Sequence, residues 1–78
     1  MQKRIPMRQL QDNQSATITA VKANGEMGRR IRDMGLIPGT KIKIQGRAPL
    51  RDPVALRLMG FTLTLRNSET DFIEVEAE

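Results

Sequence analysis

Val54-Ala55-Leu56-Arg57-Leu58-Met59-Gly60-Phe61-Thr62-Leu63-Thr64-Leu65 is the stretch on which the fold turns. Val54, Leu56 and Leu58 alternate with Ala55 and Arg57, and Phe61, Leu63 and Leu65 alternate with Thr62 and Thr64. A period of two sends successive side chains to opposite faces, so each run reads as a half-buried strand. Met59-Gly60 between them predicts a tight hairpin. Positive φ is unfavourable for Met59, so a type II or bulged turn is a second option.

The same period appears upstream. Thr40-Lys41-Ile42-Lys43-Ile44-Gln45 puts isoleucines on one face and lysines on the other, after a Pro38-Gly39 turn signal. Ala16, Ile18 and Ala20 alternate with threonines over Ser15–Val21. Asp12-Asn13-Gln14-Ser15 before that run is turn material. Downstream, Phe72-Ile73-Glu74-Val75-Glu76 closes the chain as a strand with Ile73 and Val75 inward.

Between these strands the period changes. Met27, Ile31 and Met34 stand at i, i+4 and i+7, which predicts a short helix from Glu26 to Met34. Gly28 weakens that helix by up to ~1 kcal/mol relative to Ala. Gly35 stands where a left-handed residue ends a helix, and Leu36 can fold back on the last turn. Met7 and Leu10 fit one helical turn, and residues 1–6 are expected to fray. Asn67–Asp71 suits a single helical or 3₁₀ turn capped by Ser68 or Asn67. Gly46 to Pro53 is a loop long enough to suggest a function or a packing role.

Five short strands and one short helix hide their edges best in a small barrel, so the expected fold is mainly β, a single domain over 1–78. The expected core is Ile18, Ile42, Ile44, Val54, Leu56, Leu58, Leu63, Leu65, Ile73 and Val75, with Met27, Ile31 and Met34 as a helical plug.

Composition narrows the chemistry. The chain has 78 residues with no Cys, His, Trp or Tyr. That removes disulfides, thiolate and histidine metal sites, and any Ser-His-Asp triad. No calcium-type Asp-x-Asp-x-Asp loop occurs, and Gly25-Glu26-Met27-Gly28 lacks the Lys-Ser/Thr of a phosphate loop. No nucleophile–base pair is evident, so the chain reads as a non-enzyme without cofactor or resident metal. No apolar run approaches the roughly 20 residues of a membrane span. The start has basic residues but no apolar segment behind them, so no secretory signal is read and the expected location is the cytoplasm.

Charge is uneven. Residues 1–66 carry 13 basic and 4 acidic groups, +9, while residues 67–78 carry five acids and no base, −5. Such a body can attract nucleic acid, an anionic membrane or an acidic protein face. Equally, the acidic last strand can lie beside a Lys-bearing strand and cancel locally. The basic groups Lys41, Lys43, Arg47, Arg51, Arg57 and Arg66 suit a single-strand-binding barrel. Stacking residues are scarce, however: Phe61 and Phe72 are the only aromatics, and Phe61 falls in the core pattern.

Three further stretches are distinctive as an ordered set. They are Arg29-Arg30-Ile31-Arg32-Asp33-Met34-Gly35-Leu36-Ile37-Pro38-Gly39-Thr40, then Arg47-Ala48-Pro49-Leu50-Arg51-Asp52-Pro53-Val54, then Met59-Gly60-Phe61-Thr62-Leu63-Thr64-Leu65-Arg66. With the closing Ser68-Glu69 and Ile73-Glu74-Val75, the chain resembles the FeoA family over roughly residues 7–76. The signature positions are Asp33, Met34, Gly35, Leu36, Pro38, Gly39, Ala48, Pro49, Asp52, Pro53 and Gly60. The resemblance implies a small SH3-like β-barrel with a helical insertion. It implies a cytosolic accessory role in bacterial ferrous iron uptake, with the membrane transporter FeoB and its cytosolic GTP-binding domain as partner, which would recruit the protein to the inner face of the membrane. Related domains also occur fused to iron- or manganese-responsive repressors, so fold alone does not fix the role.

The candidate docking patch is the helix with the long loop: Met27, Arg29, Arg30, Leu36, Arg47, Pro49 and Leu50. Flexible Met and Leu side chains ringed by Arg make a plausible protein contact. Met27 and Leu36 can equally pack on the barrel. The alternatives are a basic nucleic-acid-binding barrel and a module that self-associates through strand edges.

Overall fold

Chain order runs β1 (Arg4–Pro6), a 3₁₀ turn (Met7–Gln9), β2 (Ser15–Val21), α1 (Gly25–Asp33), β3 (Lys41–Arg47), β4 (Val54–Leu58), β5 (Phe61–Leu65), α2 (Asn67–Thr70) and β6 (Ile73–Ala77). The computed structural model describes residues 4–78. The strands form one antiparallel sheet in the order β1-β6-β2-β3-β4-β5. Bulges between Ile18 and Ala20 and between Ile44 and Gly46 shift the register of β2 and β3. Each adds local twist and bends its strand, which lets the sheet wrap one core.

The sheet has six strands where five are expected. The extra one is β1, whose Arg4, Ile5 and Pro6 pair with Glu76, Val75 and Glu74. Of the end expected to fray, residues 4–6 are therefore paired, and residues 1–3 lie outside the described residues. The 3₁₀ turn that follows buries Met7, and Leu10 just beyond it is buried as well.

The expected inward residues Ile18, Ile42, Ile44, Val54, Leu56, Leu58, Leu65, Ile73 and Val75 are all buried. Two of the hairpin's apolar positions differ. Leu63 is half-buried and Phe61 is 44% exposed. Burial rises steadily along the inner face of β5 from Phe61 through Leu63 to Leu65, so the hairpin tip overshoots the core. The turn itself is the tight form. Leu58 stands opposite Phe61, and Met59 and Gly60 have φ of 50° and 84°. Two positive φ values make a type I′ turn, which excludes the type II and bulged options.

Helix α1 begins and ends one residue earlier than its pattern predicts. Its stop follows the sequence signal closely. Gly35 has φ of 92°, its N–H donates to Arg32 O at 2.9 Å, and Leu36 N–H donates to Ile31 O at 3.3 Å. Those two bonds make a Schellman motif, and they turn Leu36 under the helix. Gly28 also acquires a reason. A Cβ there would lie 2.3 Å from Ala23 O, so the helix can approach the preceding chain only where a side chain is absent.

At α2 the cap differs from expectation. Arg66 is the N-cap, neither Ser68 nor Asn67, and the Glu69 carboxylate reaches back to accept Arg66 N–H at 3.0 Å. The acidic strand β6 lies between β1 and β2, one strand away from the lysines of β3. Its charge is met locally all the same: Lys22 contacts Glu74 at 2.8 Å and Arg4 stands opposite Glu76.

Candidate protein-docking surface

Asn67 holds the long loop to α2. Its backbone N–H donates to Asp52 Oδ1 at 2.9 Å and its side-chain amide donates to Arg51 O at 3.0 Å. Within the loop, Ala48 N–H donates to Pro53 O at 3.0 Å and Arg51 N–H donates to Ala48 O at 2.7 Å. The second bond closes a β-turn with Pro49 and Leu50 at its centre, the positions where a prolyl φ is favoured first. Leu50 is thereby displayed at the tip, 91% exposed. An apolar side chain presented on a braced turn loses little further freedom on binding, which favours a contact there.

The helix side of the patch is held to the same α2. Arg30 donates to Glu69, whose side chain is buried. Burial raises the Glu69 carboxyl pKa, but the Arg66 N–H and the Arg30 guanidinium outweigh it and hold the group below its ordinary value. Arg29 is exposed, and Met27 is half-buried against the core. Arg32 turns back to donate to Ala23 O at 3.3 Å.

Two of the expected contact residues do something else. Leu36 is fully buried, because the Schellman turn drives it into the core; it is removed from the candidate surface. Arg47 is spent inside the molecule. Its Nη2 donates to Arg8 O at 2.9 Å and Leu10 O at 2.8 Å, and its Nη1 to Asn67 Oδ1 at 3.4 Å. From the end of β3 it clasps the 3₁₀ turn and reaches α2, and burial together with nearby Arg51 and Arg8 lowers its pKa from the usual guanidinium value despite Asp12. Exposed Arg29, Arg30, Pro49 and Leu50, with half-buried Met27, remain.

The signature positions sort by backbone need. Gly35, Gly39 and Gly60 have φ of 92°, 95° and 84°, where a side chain is strained. Pro38 precedes the second of these in the turn into β3, and Met34 is the half-buried cap of α1. Asp52 satisfies the first N–H of α2, Pro53 accepts from Ala48 N–H, and Asp33 is exposed.

Further exposed apolar residues lie outside the candidate patch. Ile37, Met59 and Phe61 are 45%, 68% and 44% exposed, and the Met59 side chain lies about 3.9 Å from where a Gly35 Cβ would stand. The hairpin tip thus meets the end of α1. The available signal was Met59 itself, a large apolar residue in a two-residue turn. Beside it runs a groove of about 430 Å³ whose lining includes Lys41, Lys43, Arg57, Met59 and the acidic Glu78. Lys43 stands directly opposite Arg57 across the strands. Like charges so placed repel, and an anionic group would relieve them. Among the described residues no three carboxylates converge as a metal site, and no helix is long and apolar enough to cross a membrane.

Comparison with known proteins matches this architecture. A family model described as the FeoA domain covers residues 5–77. A Fe(2+) transport protein A/Fe(2+) transporter FeoB fusion protein of Porphyromonas gingivalis is 38% identical over 68 residues, 87% of this chain. The chain spans only 8% of that relative's length. The solution structure of a FeoA-like protein from Clostridium acetobutylicum superposes with a TM-score of 0.90 at 39% identity, over 99% of this chain and 90% of that one. A Stenotrophomonas maltophilia protein described as a procaryotic SH3 domain superposes at 0.77 over 96% of this chain and 88% of its own. At 24% identity that likeness speaks to the fold alone, which is SH3-like.

Proposed function

Since the chain belongs to the FeoA domain family, we propose that it is a non-enzymatic accessory protein of ferrous iron uptake that acts by docking to FeoB. The observation that carries this is the Porphyromonas gingivalis relative, in which the two are joined in one polypeptide. Fusion keeps two partners at high effective concentration, which benefits proteins that work in contact. On this reading the protein is cytoplasmic and reaches the inner face of the membrane through its partner.

The docking surface is Leu50 and Pro49 at the loop tip with Arg29, Arg30 and Met27 on α1. Both halves contact α2, the loop through Asn67 and the helix through the Arg30–Glu69 pair, which supports reading them as one surface. Docking regulates the transporter only if it binds one transporter conformation more tightly than the other. An arginine supplied to a nucleotide site is the finer alternative. Of Arg29, Arg30 and Arg32, only Arg29 lacks an internal partner among the described residues.

The test is an NMR titration of labelled protein with the cytosolic GTP-binding domain of FeoB, with and without a GTP analogue, and with single-stranded RNA as control. Shifts at residues 27–30 and 49–51 are expected, and Leu50→Asp is expected to abolish them while leaving the thermal midpoint unchanged. Absence of binding to both this domain and intact FeoB overturns the reading. Salt-sensitive shifts with RNA alone, centred on Lys41, Lys43 and Arg57, favour the nucleic-acid alternative.

A further inference from the structure

The outer edge of β5 is unguarded. Among the described residues no strand pairs with it, since β5 ends the sheet order. Sheet edges are ordinarily blunted by charge, proline, a bulge or shortness, because free N–H and C=O groups template another strand. The opposite edge follows that rule: β1 has only three residues, and they include Arg4 and Pro6. Phe61-Thr62-Leu63-Thr64-Leu65 carries no charge and no proline, and its pairing with β4 runs without a register shift.

The hairpin geometry says which groups are free. A two-residue turn makes Leu58–Phe61 the closing hydrogen-bonded pair, and hydrogen-bonded pairs then alternate. Leu63 and Leu65 therefore bond inward to β4. Thr62 and Thr64 turn their N–H and C=O groups to the open edge, where no backbone of the described residues meets them. Both threonines are exposed.

We propose that this edge pairs with the same edge of a second copy, antiparallel about a twofold axis through Leu63. The segment is nearly palindromic about Leu63, so the operation sets Thr62 opposite Thr64 of the partner and Leu63 opposite its own copy. The edge-facing residues then meet as hydrogen-bonded pairs, and the leucines meet as the closer pair at about 4.5 Å between Cα atoms. Shifting the register by one residue would place a free N–H opposite an inward-bonded residue, and shifting it by two would leave the ends of Phe61–Leu65 without a partner strand, so the register centred on Leu63 pairs the most backbone. The half-buried Leu63 and exposed Phe61 gain cover, threonines pair on the outer face, and no like charges oppose. A single strand pair buries less than the roughly 1,200 Å² of a standard stable interface, and each copy carries +4, so the dimer is weak and strengthens with salt. It stands apart from the transporter-docking surface, which β5 does not enter.

The experiment combines sedimentation velocity over a hundredfold concentration range up to about 1 mM with amide exchange of Thr62 and Thr64. Association is expected, with slowed exchange at those two amides as concentration rises. Thr62→Glu/Thr64→Glu sets acid against acid and is expected to abolish both signals. Thr62→Glu/Thr64→Lys sets acid against base in the proposed register and is expected to restore them at least to the original strength. Both variants keep an acid opposite Arg57 within the chain, so both are expected to fold. A chain that stays monomeric throughout, with both amides exchanging freely, overturns the proposal. So does association that survives Thr62→Glu/Thr64→Glu, since another face would then be responsible.

Discussion

Gly28→Ala separates local preference from tertiary fit. Helix propensity alone favours the alanine by about 1 kcal/mol at an interior position. The surroundings oppose it. A Cβ built there falls 2.3 Å from Ala23 O and 2.9 Å from Ala23 C, where real Cβ atoms essentially never come within 3.0 Å. The helix or the chain at Ala23 must retreat by about 0.7 Å, the difference between 3.0 and 2.3 Å. The obstacle is backbone, which cannot rotate aside, so the cost belongs in the upper part of the 1–3 kcal/mol range for overpacking. Subtracting the propensity gain leaves a net loss of about 1–2 kcal/mol. For a domain of this size that lowers the thermal midpoint by roughly 5–12 °C. Thermal and urea unfolding followed by circular dichroism measure it. An unchanged or raised midpoint refutes the close approach of α1 to Ala23.

Three other perturbations test the packing around the proposed docking surface. Leu36→Ala is expected to cost about 2–5 kcal/mol in urea unfolding, because the side chain is fully buried; a near-neutral result restores it as a surface residue. Arg47→Met leaves the carbonyls of Arg8 and Leu10 without their donor. It is expected to lose about 1–3 kcal/mol and to speed amide exchange over residues 7–11. Glu69 has a folded pKa below its unfolded value, so its contribution is fully present above the ordinary carboxylate pKa of about 4.3 and is lost as pH falls through the folded value. Wild type is therefore expected to exceed Glu69→Gln in stability at neutral pH, and the gap is expected to close as pH falls below about 4. A gap that does not depend on pH refutes the ionic role of the Arg30–Glu69 pair.

Much of the fold was legible in patterns local to the chain. Alternation placed β2 to β6, because a residue's face follows from its neighbours two positions away. The end of α1 was legible for a similar reason: Gly35 supplies the left-handed residue on which the Schellman motif depends. Residues whose roles depend on distant chain were less legible. Nothing in Arg4-Ile5-Pro6 marks a strand; pairing with β6 makes it one. Arg47 reads as one more surface cation until the carbonyls of Arg8 and Leu10 are found within its reach.

The proposed docking surface divides along the same line. Pro49-Leu50 in a long loop was readable as an exposed turn, and the arginines of α1 as a charged face. Folding removed Leu36 to the core and Arg47 to internal bonding, and exposed Phe61 where its strand outruns the core. By itself the sequence determined a small, mainly β domain, and its resemblance to the FeoA family implied the SH3-like form. The tertiary structure alone decided which apolar and cationic side chains are left for a partner. Periodicity records which way a side chain points, whereas exposure depends on what the rest of the chain brings to meet it.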